Sequence, residues 1–381
     1  MEASPSKQIV ICAGEVSGDI LGGKLAVALF KKNPQLQLKG IGSTHMQQAG
    51  VNILIKSDDL AVIGLWEILV HWRAIRNAYK KMVKHLRDHP PSLLILIDYP
   101  GFNLRLARKA KKMGIKVMFY VSPQIWAWRY KRIRHIRRYV DHMAVLFPFE
   151  TEIYQREHVP VTCVGHPLVE SLTPQLNKIE FCERYQLDPE KPIVAVLPGS
   201  RVREVKSFMP TLCDAIQCIQ QKIPEAQFVL AQASSIKNTL LQPFLNKHIS
   251  VVQRSTTDLL ASSDAAITAS GTATLEIALM QVPMAIVYKI HWLTYFLAKF
   301  VVKIKHIGLC NIVAKKCIAK EFVQGNMRAD LIAKEMIALL QQDDYRQQIK
   351  NDLATLKASL NRPNAAERAA KLALQLTEKR R

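Results

Sequence analysis

Two short glycine-containing turns carry the residues of this sequence that are best suited to bind phosphate. Residues 197–201 read Leu-Pro-Gly-Ser-Arg, and residues 269–276 read Ala-Ser-Gly-Thr-Ala-Thr-Leu-Glu. Each turn follows an apolar run and opens a helical pattern, so backbone N–H groups are free at a helix N-terminus, where anions bind. Arg201 adds a guanidinium suited to phosphate, and Glu276 adds a carboxylate that can accept hydrogen bonds from ribose. The pair predicts a nucleotide diphosphate held from both sides.

Each charged residue of these turns also has an explanation that needs no ligand. A cation in the first turn of a helix opposes the helix dipole, so Arg201 requires an anionic partner, which is either Glu204 or a ligand. Glu276 lies in the first turn of its own helical pattern, where an acid is stabilising in any case.

Acidic residues also follow two apolar runs in the first part of the chain. Asp98 ends one run and precedes Tyr-Pro-Gly, and residues 14–19 read Gly-Glu-Val-Ser-Gly-Asp directly after the other. An acid at the carboxyl end of a strand can act as a general base or orient a hydroxyl. The alternative is that Asp98, Ser17 and Asp19 cap helices or form turns, where Ser and Asp are favoured. Spacing alone leaves both explanations open.

The alternation of apolar runs with helical patterns predicts an α/β fold. A chain of 381 residues is long for a single core, so two domains are expected. We predict a first domain at residues 1–165, a proline-rich connection at 166–192, a second domain at 193–360 and a final helix at 361–381 packing back on the first domain. Two doubly wound sheets would face each other across a cleft, with ligands at the carboxyl ends of their strands.

Composition narrows the classes of partner and cofactor. The net charge of +22, from 53 basic and 31 acidic residues, indicates an anionic partner: nucleic acid, anionic lipid or a phosphorylated substrate. The seven cysteines include no CxxC pair and no spacing typical of a metal site, which predicts reduced thiols and no bound metal. The apolar stretches at 60–72 and 282–302 are too short or too interrupted by charge to predict a transmembrane helix.

Two segments combine aromatic residues with basic or apolar neighbours. Residues 126–138 are rich in arginine and would bind a membrane surface or a nucleic acid. The apolar stretch at 60–72 would either dip into lipid or pack in the core. The candidate lipid contacts in the two segments are Leu65, Trp66, Leu69, Trp72, Trp126, Trp128, Arg129 and Arg132.

Taken together, the motifs resemble those of the lipid-A-disaccharide synthase family. The resemblance extends over about residues 8–324 and rests on separate motifs that occur in the family's order: residues 14–19, 98–103, 120–128, 197–201, 269–273 with Glu276, and 309–311. Three departures are small. Val16 stands where alanine is common, Cys310 where proline is common, and Gly101 where an acid is often found, which weakens any scheme with a second acid beside Asp98.

The resemblance implies a glycosyltransferase of the two-Rossmann-domain (GT-B) type that needs no metal or other cofactor. The donor would be UDP-2,3-diacylglucosamine and the acceptor 2,3-diacylglucosamine 1-phosphate. Their product would be the β-1,6-linked disaccharide 1-phosphate of lipid A. An enzyme with these substrates is expected in the cytoplasm, on the anionic inner face of the inner membrane, with no nucleic-acid partner.

The resemblance also assigns roles to individual residues. Asp98 would be the general base. The acceptor would contact Gly14, Glu15, Ser17, Gly18, Asp19 and Asn103. The UDP of the donor would contact Gly199, Ser200, Arg201, Ser270, Gly271, Thr272, Glu276 and Asn311.

Two other functions agree with parts of the sequence. A UDP-N-acetylglucosamine transferase or epimerase would share the architecture but would not need an acyl-binding surface at residues 60–72. A nucleic-acid-binding protein would use residues 126–138 and show salt-dependent affinity that UDP does not compete.

Overall fold

The structure is a computed structural model that describes residues 7–59, 72–245, 249–290 and 304–378. It divides into two compact units. Unit 1 comprises Met1–Pro167 together with Arg362–Arg381, and unit 2 comprises Leu168–Asn361. Each unit is built on one parallel β-sheet with helices in the connections, which confirms the predicted α/β class.

In the first part of unit 1, strands and helices alternate. The elements are β1 (Gln8–Ala13), α1 (Val16–Lys32), β2 (Gln37–Gly42), α2 (Thr44–Gln48), β3 (Asn52–Lys56), α3 (Trp72–Asp88), β4 (Leu93–Ile97), α4 (Pro100–Lys112), β5 (Val117–Tyr120), α5 (Ile133–Tyr139), β6 (His142–Val145), α6 (Pro148–Arg156) and β7 (Val161–Cys163).

Unit 2 repeats this alternation, and the chain then returns to unit 1. The elements of unit 2 are α7 (Leu168–Ser171), α8 (Lys178–Tyr185), β8 (Ile193–Leu197), α9 (Val202–Lys222), β9 (Gln227–Gln232), α10 (Asn238–Leu241), β10 (Ile249–Gln253), α11 (Thr256–Ser262), β11 (Ala265–Ala269), α12 (Ala273–Leu279), β12 (Met284–Tyr288), α13 (Leu309–Ala314), β13 (Lys320–Val323), α14 (Ala329–Gln341) and α15 (Asp343–Leu360). The last helix is α16 (Ala365–Glu378).

The two sheets have the same strand order. It is β3-β2-β1-β4-β5-β6-β7 in unit 1 and β10-β9-β8-β11-β12-β13 in unit 2. The order reverses between β1 and β4, and again between β8 and β11. In doubly wound sheets such a switch point opens a crevice at the carboxyl ends of the two strands, where ligands bind. The apolar runs of β4 and β8 are buried throughout, as expected for central parallel strands.

The final helix, α16, packs against α1 in unit 1. Its buried side is made of small residues, including Ala369 and Ala370, and Lys31 of α1 forms an ion pair of 2.9 Å with Glu367. Lys116, just before β5, donates to the carbonyl of Leu376 at 2.9 Å.

Residues 168–192, which the proline pattern predicted as a connection, belong to unit 2. Helix α8 lies inside this segment and buries Phe181 and Cys182. Its first turn is closed by a capping box. The amide of Asn177 donates to the Glu180 carboxylate, and the amide of Glu180 donates to the Asn177 side chain, both at 3.0 Å. The backbone before it is fixed by Asp258, which accepts from the amide of Leu176 at 3.1 Å.

Candidate active site

Asp98 occupies a strained corner directly after β4. Asp98 and Tyr99 both have φ of 45°, a left-handed conformation that costs a non-glycine residue about 1–3 kcal/mol. The corner is held by two hydrogen bonds: the amide of Asp98 donates to Tyr120 at 3.1 Å, and the side-chain amide of Asn103 donates to the carbonyl of Asp98 at 2.8 Å. The fold therefore fixes this carboxylate at the carboxyl edge of the sheet.

The loop at residues 14–19 lies beside this corner because β1 and β4 are neighbours. Ala13 is paired with Ile97, so Gly14 faces the residues that follow β4. A Cβ added to Gly14 would collide with the ring of Tyr99, which explains the need for glycine there. Glu15, just before α1, and Ser17, in its first turn, are both exposed. The charge of Glu15 acts on Asp98, so these two acids lie near each other.

Burial, and then the negative charge of Glu15, raise the pKa of Asp98 to about 6. A carboxylate with a pKa near the working pH can accept a proton in the reaction and release it afterwards. Burial of Tyr99, and then the charge of Glu15, also raise the pKa of the Tyr99 phenol. Two acids, Glu15 and Asp98, therefore lie on adjoining segments of the chain, directly after β1 and β4.

Two residues predicted to contact the acceptor are instead buried parts of the framework. Asp19 and Asn103 are each only 1% exposed. Asp19 accepts from the amides of Ser43 at 2.6 Å and His45 at 2.9 Å, so it fixes the start of α2 rather than that of its own helix. The side-chain amide of Asn103 also donates to Ile97 at 3.1 Å. In this conformation neither side chain can touch a ligand, and Gly18 is buried as well.

The first glycine-containing turn, predicted to bind phosphate, follows β8 and lies beside the turn after β11, because Leu197 is paired with Thr268. Gly199 has φ of +109°, and a Cβ there would collide with the carboxylate of Glu204. This glycine is therefore required by both backbone conformation and space.

Arg201 precedes the first residue of α9, with its side chain 73% exposed. Its guanidinium is 3.3 Å from Glu204, so the structure provides the acidic partner that the sequence left open. An exposed pair of this kind contributes only about 0–1 kcal/mol. The guanidinium can therefore leave Glu204, or share it, to contact a phosphate.

The second turn presents open backbone and an unused carboxylate. Gly271 and Thr272 are exposed, and a Cβ at Gly271 would meet nothing within 4 Å. The hydroxyl of Ser270 donates to the carbonyl of Ile307 at 2.8 Å, which ties the turn to the loop before α13. Glu276 is half-buried, and burial raises its pKa. Within the described ranges its carboxylate forms no hydrogen bond or ion pair, which leaves it available to a ligand.

Asn311, predicted to contact UDP, is fully buried in α13, and its side chain holds the segment between α13 and β13 by hydrogen bonds. Its side-chain amide donates to Ala319 at 2.7 Å and to Glu321 at 2.8 Å. Its side-chain oxygen accepts from the amides of Ile318 and Ala319, both at 2.9 Å. Every polar atom of the side chain is used inside the protein, so Asn311 cannot contact UDP in this conformation.

Asn311→Ala is expected to lower the free energy of unfolding by about 1–3 kcal/mol, since buried groups lose their partners. Urea unfolding of the variant, compared with the exposed control Asn351→Ala, measures this effect. Unchanged stability combined with weak UDP binding would instead indicate a direct ligand contact.

Part of the predicted lipid-contact set is exposed. Trp128 is exposed and lies under two guanidinium groups, with Arg129 at 4.5 Å and Arg132 at 5.2 Å from its ring centroid. Trp126 is half-buried and donates to Glu150 at 3.3 Å. Trp72 is 47% exposed. The predicted contacts Leu65, Trp66 and Leu69 lie outside the described residues.

A cavity of about 710 Å³ in unit 1 brings together residues that the sequence reading did not select as a group. It lies along α3 and α4 and is lined by Trp72, Ile75, Arg76, Tyr79, Tyr99, Gly101, Phe102, Arg105, Arg108, Lys109, Lys112 and His135. The sequence spacing of the lining residues could have revealed this cavity. Positions 72, 75, 76 and 79 share one face of a helix, and positions 105, 108, 109 and 112 share one face of another.

In the described residues, no three His, Cys, Asp or Glu side chains are grouped so that they could hold a metal ion. Among the helices described above, none has the length and apolar character needed to cross a bilayer.

Comparison with known proteins decides the family. The sequence model described as lipid-A-disaccharide synthetase matches residues 9–376. The chain belongs to this family. A lipid-A-disaccharide synthase of Coxiella burnetii is 48% identical over 367 residues, covering 96% of this chain and 98% of the relative. A second, of Trichlorobacter lovleyi, is 43% identical over 381 residues, covering 99% of this chain and all of the relative. The resemblance drawn from the motifs is confirmed, and with it the enzyme class, a glycosyltransferase.

Solved structures show the same fold at low sequence identity. A putative UDP-N-acetylglucosamine 2-epimerase of Listeria monocytogenes superposes with a TM-score of 0.66 and 11% identity, covering 99% of this chain and 98% of the other. A glycosyltransferase of Rickettsia africae gives a TM-score of 0.59 and 12% identity, covering 99% and 100%. They confirm the GT-B type of fold, with two Rossmann-like domains, and do not distinguish epimerases from transferases.

Proposed function

We propose that the protein transfers 2,3-diacylglucosamine from UDP to the 6-hydroxyl of 2,3-diacylglucosamine 1-phosphate, forming a β-1,6-linked disaccharide 1-phosphate and UDP. The observation that carries this proposal is the position and the raised pKa of Asp98. In a chain of this family, a carboxylate with a raised pKa is held on a strained corner at the switch point of one Rossmann-like sheet. The two glycine-containing turns proposed to bind phosphate follow two neighbouring strands of the other sheet.

The donor would bind to unit 2. Backbone amides near Gly199, and those of residues 270–272, would hold the diphosphate together with the guanidinium of Arg201. Glu276 would accept hydrogen bonds from the ribose hydroxyls. The departing UDP gains negative charge in the transition state, and fixed donors directed at it lower the barrier.

The acceptor would bind to unit 1, at the loop that carries Glu15 and Ser17. Asp98 would accept the proton of the 6-hydroxyl as the oxygen attacks the anomeric carbon of the donor. The bond from that carbon to the UDP oxygen breaks in the same step, and the pair of electrons leaves with UDP. Attack from the opposite face inverts the α-linked donor to a β-linked product.

We place the enzyme at the cytoplasmic face of the inner membrane, where both acylated substrates would reside. Support comes from the exposed Trp128 with its two arginines, because each cation near an anionic lipid surface adds about 1 kcal/mol of attraction.

The decisive experiment is turnover of the purified protein with both acylated substrates in detergent micelles containing EDTA. UDP release with formation of a disaccharide phosphate is the expected result. UDP binding without product would contradict the proposal and favour a UDP-sugar substrate without acyl chains.

The value of kcat/KM is expected to rise with pH through a midpoint near 6, because Asp98 must be ionised to accept the proton. Glu15→Gln removes the second cause of the raised pKa, so the midpoint is expected to move to lower pH. A pH series for both proteins measures the shift, with Asp88→Asn as the control. An unchanged midpoint in Glu15→Gln would contradict the coupling between the two acids.

A further inference from the structure

We propose that the groove between α3 and α4 is the subsite for the phosphate and one acyl chain of the acceptor. The groove comprises the residues that line the 710 Å³ cavity described above. This inference rests on the proposed function, because it concerns how the acceptor of that reaction is recognised.

The floor of the groove is apolar and aromatic, as an acyl chain requires. The rings of Tyr79 and Phe102 meet edge to face at 5.8 Å, and Tyr99 lies 6.0 Å from Phe102 between centroids. The hydroxyl of Tyr79 donates to the carbonyl of Arg105 at 3.3 Å, which ties α3 to α4. Ile75 adds an aliphatic side chain. The volume lies within the range of about 300–1,000 Å³ found for small-molecule sites.

The rim of the groove is basic. Its charged lining residues are all cations: Arg76, Arg105, Arg108, Lys109 and Lys112. Four of these lie on α4 and form pairs three or four residues apart, and each like-charged pair at that separation destabilises the helix by about 0.2–0.5 kcal/mol. A bound anion would relieve this repulsion.

These cations also lack the acidic partners found elsewhere on the same helix. Lys111 of α4 is paired with Asp141, whereas no groove cation forms an ion pair with any acid in the described part of the chain. A set of exposed, unpaired cations around an apolar floor is complementary to a phosphate attached to an alkyl chain.

The groove adjoins the proposed base. Tyr99, the residue after Asp98, lines it, as does Gly101 in the first turn of α4. An acceptor whose phosphate lies on the rim therefore has its sugar beside the corner that carries Asp98. This position favours the acceptor over the donor, whose proposed phosphate contacts are in unit 2.

The first test is equilibrium binding of monomeric dodecyl phosphate to the full-length protein, compared with inorganic phosphate and dodecyl maltoside. The protein is expected to bind dodecyl phosphate more tightly than either. Arg105→Glu/Arg108→Glu should weaken this binding by about tenfold or more, the loss expected for charge-assisted hydrogen bonds. The control Lys80→Glu/Lys84→Glu makes the same charge change on exposed positions of α3 outside the groove and should leave it unchanged.

A second variant tests the floor without changing charge. A Cβ at Gly101 would meet nothing within 4 Å, so a side chain can start there, and Gly101→Phe is chosen to occupy the groove. It should weaken dodecyl phosphate binding and raise the KM for the acceptor while the KM for the donor stays constant. Because Gly101→Phe leaves the helix charges intact, it remains informative if the double charge reversal fails to fold.

Two outcomes would overturn the inference. They are equal binding of dodecyl phosphate and dodecyl maltoside, and retention of dodecyl phosphate binding in both groove variants. If the groove variants lose dodecyl phosphate but the parent protein makes no disaccharide, the proposed reaction fails while the anionic-lipid site stands.

Discussion

Asp98→Asn is expected to lower turnover by about 10²–10⁴-fold, the contribution typical of a general base, while the affinity for UDP stays unchanged. The substitution keeps the size of the side chain and removes its ability to accept a proton. Single-turnover rates and UDP binding by calorimetry measure the two effects separately. The strained corner is expected to persist, because the backbone amide at position 98 still donates to Tyr120.

The matched control is Asp88→Asn, an exposed acid at the end of α3 in the same unit. Its turnover should equal that of the parent protein. Weakened UDP binding in Asp98→Asn would contradict the assignment, since it would place this acid at the donor rather than at the acceptor.

The central strands were predictable from the sequence, as were the edge strands β7 and β10, whereas the edge strands β3 and β13 were not. β4 and β8 are buried along their whole length, so each appears as an uninterrupted apolar run whose bounds the sequence predicts correctly. β3 and β13 lie at the ends of their sheets, where no residue of β3 and only one residue of β13 is buried. Their composition mixes polar and apolar residues, and neither strand was predicted.

Helix starts were predicted late for a related reason. The sequence places the start of α4 at residue 102 or 104, but the helix begins at Pro100. Proline in the first turn is itself a start signal, since its missing N–H has no helical partner to lose. α1 likewise begins at Val16, four residues before its predicted start, within the turn predicted to bind the acceptor.

Polar motifs mark the two candidate sites, but their spacing did not separate candidate ligand contacts from supporting residues. Asp19 and Asn311 carry the oxygen and amide groups that a ligand would need, and the same groups fix backbone at α2 and before β13. Their partners are 26 residues away for Asp19 and 7 for Asn311, at positions that spacing within a motif does not reveal. The side chains of Glu276 and Ser17, by contrast, form no such hydrogen bonds to distant backbone within the described residues.

Arg201→Ala is expected to weaken UDP binding by about tenfold or more and to lower turnover as well, because a charge-assisted hydrogen bond contributes about 1.5–3 kcal/mol. Binding of UDP by calorimetry, followed by steady-state kinetics with each substrate varied, measures both effects. The side chain is largely exposed and its ion pair with Glu204 is weak, so its removal should leave the stability of unit 2 nearly unchanged.

Arg203→Ala is the matched control, since Arg203 is an exposed arginine two residues further along α9. The same loss of charge there should leave UDP binding intact, which separates a specific phosphate contact from the general effect of the net positive charge. If Arg201→Ala changed only the affinity for the acceptor, the roles proposed for the two units would have to be exchanged. If both arginine variants weakened UDP binding equally, the contact would be long-range attraction to a basic surface, and the fixed-donor mechanism for the leaving UDP would lose its support.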